Sequence, residues 1–169
     1  MTKAKVIARF LAIALCAAAL FSCAKKEAAP DLDLRALAGI IGEKADFSDW
    51  VDRTENYQND CGISSDEIAY MSAMKKIDEA NVGNAEALLL IEAADLDKAK
   101  EIENKLKAYK TNKLNELSNY NINPDYERQW HIVEESEVIV EGRYVFWSVD
   151  ERDKEINGII RDYIKNGGN

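Results

Sequence analysis

The chain has 169 residues, with 22 Lys and Arg against 31 Asp and Glu, a net charge of −9 and a single His. That length fits one domain of ordinary size. The acidity disfavours nucleic acid and electrostatic adhesion to anionic lipid, and one histidine leaves little for metal or triad chemistry.

Lys3, Lys5 and Arg9 precede an apolar run over residues 10–21, the layout of a secretory signal. The run is well short of the ~20 residues that span a bilayer as a helix. Leu20-Phe21-Ser22-Cys23 resembles the lipobox of bacterial lipoproteins, with Phe21 bulkier than the usual occupant of its position. The resemblance implies cleavage before Cys23 and a diacylglycerol thioether on it; the alternative is an ordinary signal peptide cut nearby. Two acyl chains anchor stably where one is marginal, so attachment at the extracytoplasmic face of the cell membrane would need nothing from the folded part. Residues 1–22 are therefore read as signal, 23–30 as a lipid-anchored tether of small and charged residues closed by Pro30, and 31–169 as one domain. Loss of the signal removes three cations and no acid, so the mature chain carries −12. Cys61 is then the only thiol left beside the lipidated one; no internal disulfide forms, and a buried small hydrophobe is the commonest fate of a free Cys.

In the domain, Leu34, Leu37, Ala38 and Ile41 stand at helical spacing behind Asp31 and Asp33, which predicts a short capped helix stopping at Gly42. The Asp-x-Asp pair recurs at Asp95 and Asp97, again at a helix start, and reads as capping more readily than as a cation site. Residues 47–62 hold Trp50, Tyr57 and Cys61 without a clear period and read as loop with a short helix. Residues 66–94 are ambiguous, because good helix formers surround the turn-like Asn81-Val82-Gly83-Asn84. Asp95 caps a long helix to about Ser118, with an apolar stripe of Leu96, Ala99, Ile102, Leu106, Tyr109, Leu114 and Leu117, and Glu101/Lys105 and Glu103/Lys107 as i,i+4 pairs. Asn123-Pro124-Asp125 opens a shorter helix bearing Tyr126, Trp130 and Val133. Two β-branched and aromatic runs flank Glu141-Gly142 as a hairpin, and Ile156, Ile159, Ile160, Tyr163 and Ile164 line a last helix that exits at Gly167-Gly168.

The lipobox, the Asp-Leu-Asp-Leu helix start at Asp31, Glu92-Ala93-Ala94-Asp95 and the long charged helix after it, Asn-Pro-Asp-Tyr from Asn123, and Glu-Gly-Arg-Tyr from Glu141 carry a wider likeness. In this order they resemble a family of uncharacterised bacterial lipoproteins, domain of unknown function 4358. The resemblance implies that residues 68–77 and 85–94 form a strand hairpin, although Ala and Met stand where β-branched residues would be expected. It brings no catalytic residues. Two hairpins each followed by a helix predict an α+β, two-layer fold, an antiparallel sheet of about four strands with helices mainly on one face.

An uncovered second face would present Tyr144, Phe146 or Trp147 as a platform for a peptide or sugar; cover by another element is the commoner outcome. The leading expectation is a non-catalytic, membrane-anchored binding or interaction module with an envelope protein, peptide or glycan as partner. A structural part in envelope assembly is the alternative. A hydrolase would have to draw on carboxylates near the second hairpin (Glu134, Glu135, Glu137, Glu141) and the last helix (Asp150, Glu151, Asp153), or on a Cys61–His131 pair. No glycine-rich phosphate loop, metal-spaced Cys/His set or basic run occurs, so nucleotide, metal and nucleic-acid functions are set aside and no cofactor is expected.

Overall fold

The computed structural model describes residues 31–77, 84–119 and 124–168. The stretches read as signal, lipobox (Leu20, Phe21, Ser22 and Cys23) and tether up to Pro30, most of the expected turn around Gly83, and Asn123 lie outside the described residues. None of the described helices is long and apolar enough to cross a membrane.

Helix α1 (Leu34–Ala45) leads into strand β1 (Trp50–Asp52), helix α2 (Thr54–Asp60) and a 3-10 turn (Ser65–Glu67). Strands β2 (Ile68–Lys76) and β3 (Ala87–Ala93) follow, then helices α3 (Leu96–Ser118) and α4 (Pro124–Glu135), strands β4 (Val138–Glu141) and β5 (Tyr144–Val149), and helix α5 (Asp153–Lys165). The sheet is antiparallel throughout, in the order β1-β2-β3-β5-β4. The α+β reading holds, as does the hairpin over 68–94, where Met71 pairs with Ile91 and Ala73 with Leu89.

Two details differ from expectation. The sheet has five strands, because the three residues of β1 add an edge beside β2 that is too short to carry a period. Helices cover both faces, with α2, α3 and α4 on one and α1 and α5 on the other. Each cover has an apolar stripe that must be buried somewhere: Leu34, Leu37 and Ile41 on α1 and Ile156, Ile160 and Tyr163 on α5 press on Leu88, Leu90, Tyr144 and Phe146. On the opposite face Ile102, Leu106 and Leu117 of α3 and Ile132 and Val133 of α4 press on Leu89, Ile91, Val145 and Trp147. The two central strands are thus buried on both sides, which is why β3 and β5 read as continuous apolar runs instead of alternating.

The caps behave as their chemistry requires. The Asp33 carboxylate accepts from the Arg35 and Ala36 amides, and that of Asp95 accepts from the Lys98 amide at 2.8 Å. Helix α1 runs past Gly42 and ends at Asp46, which takes a left-handed conformation with φ 47°. In the α3 stripe Leu96 is exposed, since it sits at the first turn before the helix reaches the sheet. Lys107 pairs with Glu103 at 2.5 Å as expected, but Lys105 turns inward instead. Its ammonium donates to Glu67 at 2.6 Å and to the Gly62 carbonyl at 2.7 Å, clamping α3 to the end of α2, while Glu101 takes Lys98.

Candidate functional site

The aromatic platform does not exist as a surface. Tyr144, Phe146 and Trp147 are 1%, 0% and 2% exposed. Each ring is covered and each polar tip is used. The Trp147 indole donates to Ser136 Oγ at 3.0 Å, and that hydroxyl donates in turn to the Val133 carbonyl. The Tyr144 hydroxyl accepts from the Leu32 amide at 2.9 Å, so the chain leading into α1 is itself the cover. Among the described residues the large exposed hydrophobics are Ile77 and Leu96, which do not form an aromatic patch.

The catalytic candidates are also dispersed. Cys61 is buried beside Tyr57 and Tyr109, and burial, aided by the Asp60 charge, pushes its thiol up to about 12, far from a nucleophile's range. His131 lies on the exposed side of α4, edge-on to Trp130 and 3.7 Å from Glu134, and no hydrogen bond joins it to Cys61. Glu134, Glu135, Glu137 and Glu141 are all exposed, and Glu137 is paired with Arg161. Asp150 is buried but enclosed by Arg152, whose backbone amide and Nε both reach its Oδ1 at 2.8 Å. Asp153 differs: burial raises its carboxyl to about 6, with Asn157 donating to Oδ1 at 2.9 Å.

A different place gathers polar groups that the fold itself leaves unused. Between β1, α2, the end of β2 and α3 opens a cleft of about 330 Å³, lined by Arg53, Asn56, Tyr57, Asp60, Lys75 and Tyr109 together with Val51, Lys76, Ile77 and Asn84. Its walls are fixed by local chemistry. The Arg53 amide donates to the Ala73 carbonyl at 2.8 Å, Thr54 Oγ1 accepts from the Ala73 amide at 3.0 Å, and Asp52 Oδ1 accepts from the Thr54 amide at 2.8 Å. Strand β1 therefore turns into α2 against a fixed stretch of β2, and Arg53 and Asn56 are carried to the rim. Tyr57 meets Tyr109 edge-on at 6.0 Å, and Tyr109 meets Trp147 in the same way, so both phenol rings are wedged against the core where the two residues line the cleft.

Lys75 is the unusual member. On β2 the inward row runs Met71, Ala73, Lys75, and across the sheet Lys75 stands in line with Val51, Ala87 and Val149. An ammonium occupies a core position at half-burial. Burial holds its affinity for the proton below the usual lysine range, with Lys113 and Arg53 acting in the same sense against the weaker fields of Glu116 and Asp60. Lys76 and Lys113 have partners in Glu86 at 3.4 Å and Glu116 at 3.1 Å. The side chains of Arg53 and Lys75 have no hydrogen bond or ion pair among the described residues. The hydroxyls of Tyr57 and Tyr109 have no hydrogen-bond partner among them either.

The family described as Domain of unknown function (DUF4358) matches residues 46–150. The chain belongs to that family. No curated protein matches it, and no solved structure does. The DUF4358 segment contains all five strands with α2, α3 and α4, and hence every residue lining the cleft. Helices α1 and α5, which close the other face, lie outside it.

The sequence drew attention to Tyr57 and Tyr109 without a role for either, and it passed over Arg53 and Lys75 entirely. The usable signal was the alternation in β2: a lysine two residues after Ala73 and four after Met71 falls on the inward row. That row becomes visible only when 68–76 is known to be a strand.

Proposed function

We propose that the protein is a non-catalytic binding module, tethered to the extracytoplasmic face of the cell membrane by diacylglycerol on Cys23, that takes its ligand in the cleft between β1, α2 and α3. The anchor rests on the charged start, the short apolar run and the lipobox-like Leu20-Phe21-Ser22-Cys23. The binding role rests on one observation: two cations and two phenols that have no side-chain polar partner among the described residues line one preformed cleft in an otherwise acidic chain. Buried polar groups that serve only the fold are normally paired within it, and the half-buried Lys75 and the Tyr57 hydroxyl are not paired among the described residues.

One observation favours a second reading, a carboxylate hydrolase. Asp153, lifted by burial to about 6, has the affinity of a general acid, although its neighbour Asp150 is committed to Arg152. Crosslinking in intact cells with mass spectrometry tests the first reading. Capture of an envelope component that is lost in both Cys23→Ala and Lys75→Met supports it. Capture that ignores Lys75 removes the cleft from the interaction, and cleavage of envelope glycan fragments that Asp153→Asn abolishes replaces it with the hydrolase.

A further inference from the structure

We propose that the cleft receives a compact oxyanion, the phosphate or carboxylate group of a small molecule, between Lys75, Arg53 and the hydroxyls of Tyr57 and Tyr109. This rests on the reading of the cleft as the ligand site and adds the chemistry of what enters it.

The donor inventory supports an acceptor-only ligand. A guanidinium offers five N–H groups and an ammonium three, and neither can accept. Burial raises the pKa of both phenols, so they keep their protons at neutral pH and can donate. Asn56 contributes an amide at the rim. Among the described residues Asp60 is the carboxylate in the lining, and its field on Lys75 is weaker than those of Lys113 and Arg53. Counting the groups left free by the fold among the described residues, the cleft has an excess of positive charge while the chain as a whole has the opposite sign.

The half-burial of Lys75 adds an energetic reason. An ammonium in a core row loses hydration, and the charges that reach it most strongly are of its own sign. The missing term is a counter-charge, and an oxyanion between Lys75 and Arg53 supplies it through charge-assisted hydrogen bonds. A volume of about 330 Å³ lies at the small end of ligand sites and holds a small anion with its attached group, not a long polymer segment. The walls are already in place, through the β1–α2 junction and the Tyr57–Tyr109–Trp147 stack, so little ordering is needed on binding.

The test uses the full lipidated chain in neutral detergent, with its lysines and tyrosines isotopically labelled for NMR. Inorganic phosphate, acetate and glucose are titrated separately, with chloride at matched ionic strength as background. The expected result is a saturable shift of Lys75, Tyr57 and Tyr109 signals with phosphate or acetate, and a rise in the Lys75 titration midpoint. Whichever anion binds more tightly names the source. Lys75→Met and Arg53→Gln should each weaken binding at least about tenfold, and Tyr57→Phe by a smaller factor. Because Arg53 is exposed, its variant keeps the fold intact and the comparison valid.

If neither anion produces a saturable shift, the oxyanion assignment is wrong. Should glucose move the same three residues instead, the cleft remains the ligand site and only the chemistry falls. If no probe moves them and Lys75→Met captures the same envelope partner as the native chain, both readings fail.

Discussion

Against Leu88, Leu90, Tyr144 and Phe146, helices α1 and α5 pack a layer that is apolar at its centre, with the Tyr144 hydroxyl between the Leu32 amide and Asp31, Tyr163 on the Asp33 carbonyl, and neutral Ser148 and Asn157 among its buried polar groups. A depression of about 160 Å³ on that side, beside Ala38, Phe47 and Met74, is apolar too. The opposite face is closed by α2, α3 and α4 with an equally apolar centre, but its corner beside β1 is held by amide and hydroxyl hydrogen bonds between the β1–α2 junction and Ala73. There a lysine takes a core position and the cleft opens. Both faces have enough burial to fold. Only one sets an ammonium without an ion pair among the described residues in an inward row beside a cleft, and that asymmetry points to where function sits.

The largest effect should come from the shared centre. Trp147→Ala removes a side chain that is 2% exposed, together with its bond to Ser136, and should lower unfolding free energy by about 3–5 kcal/mol in a denaturant titration. Phe146→Ala, on the other face of the same strand, should fall in the same range. A loss under about 1 kcal/mol for either would mean that its layer is not continuous with the core.

Next in size is the ionic clamp. Glu67 is buried; burial works to raise its carboxyl, and the Lys105 ammonium with the Ser64 amide and hydroxyl overcomes that and holds it at about 2. Lys105→Met leaves that charge without its main partner and should cost about 2–3 kcal/mol. Because the folded pKa lies below the ordinary 4.5, the contribution of Glu67 is whole above pH 4.5 and fades as pH falls toward 2. The difference between native chain and Glu67→Gln should therefore shrink over that window. On the sealed face, Tyr144→Phe strips one hydrogen bond from the buried Leu32 amide and should cost about 1 kcal/mol.

Much of this architecture was legible from residue patterns. The capped helices, the Gly142 turn with φ 57°, and the apolar stripes of α1, α3 and α5 all follow from local rules. What escaped did so for physical reasons. Strand β1 is three residues long and gains its identity from pairing Trp50 with Lys76 and Val51 with Lys75, partners about 25 residues away in the chain. Tyr144, Phe146 and Trp147 looked like a candidate surface because strand alternation cannot reveal whether a second layer exists; α1 and α5, from the two ends of the described chain, cover Tyr144 and Phe146, and α3 and α4 cover Trp147. The cleft joins residues from Val51 to Tyr109 that are far apart in the chain, Tyr109 reading as part of the apolar stripe of the long helix and Tyr57 as part of a stretch without a clear period.

The smallest effect should have the opposite sign. Lys75 carries an ammonium in a row otherwise filled by Val51, Ala87 and Val149, and burial lowers its proton affinity in the fold relative to the unfolded chain. A lysine depressed in this way penalises the folded state as long as it stays charged, so the penalty is present at neutral pH and is relieved as pH rises toward 10.5. Lys75→Met keeps the length of the side chain and removes the charge. Since the group is only half-buried and water screens part of the penalty, the gain should be modest, under about 1 kcal/mol at pH 7. It should vanish in alkaline buffer, where the native lysine is neutral as well. A variant that is more stable than the native chain yet no longer binds phosphate or acetate would identify Lys75 as a residue kept against the interest of the fold. A variant that is less stable would mean that Lys75 has a structural partner, and the contrast between the two faces would then lie in packing alone.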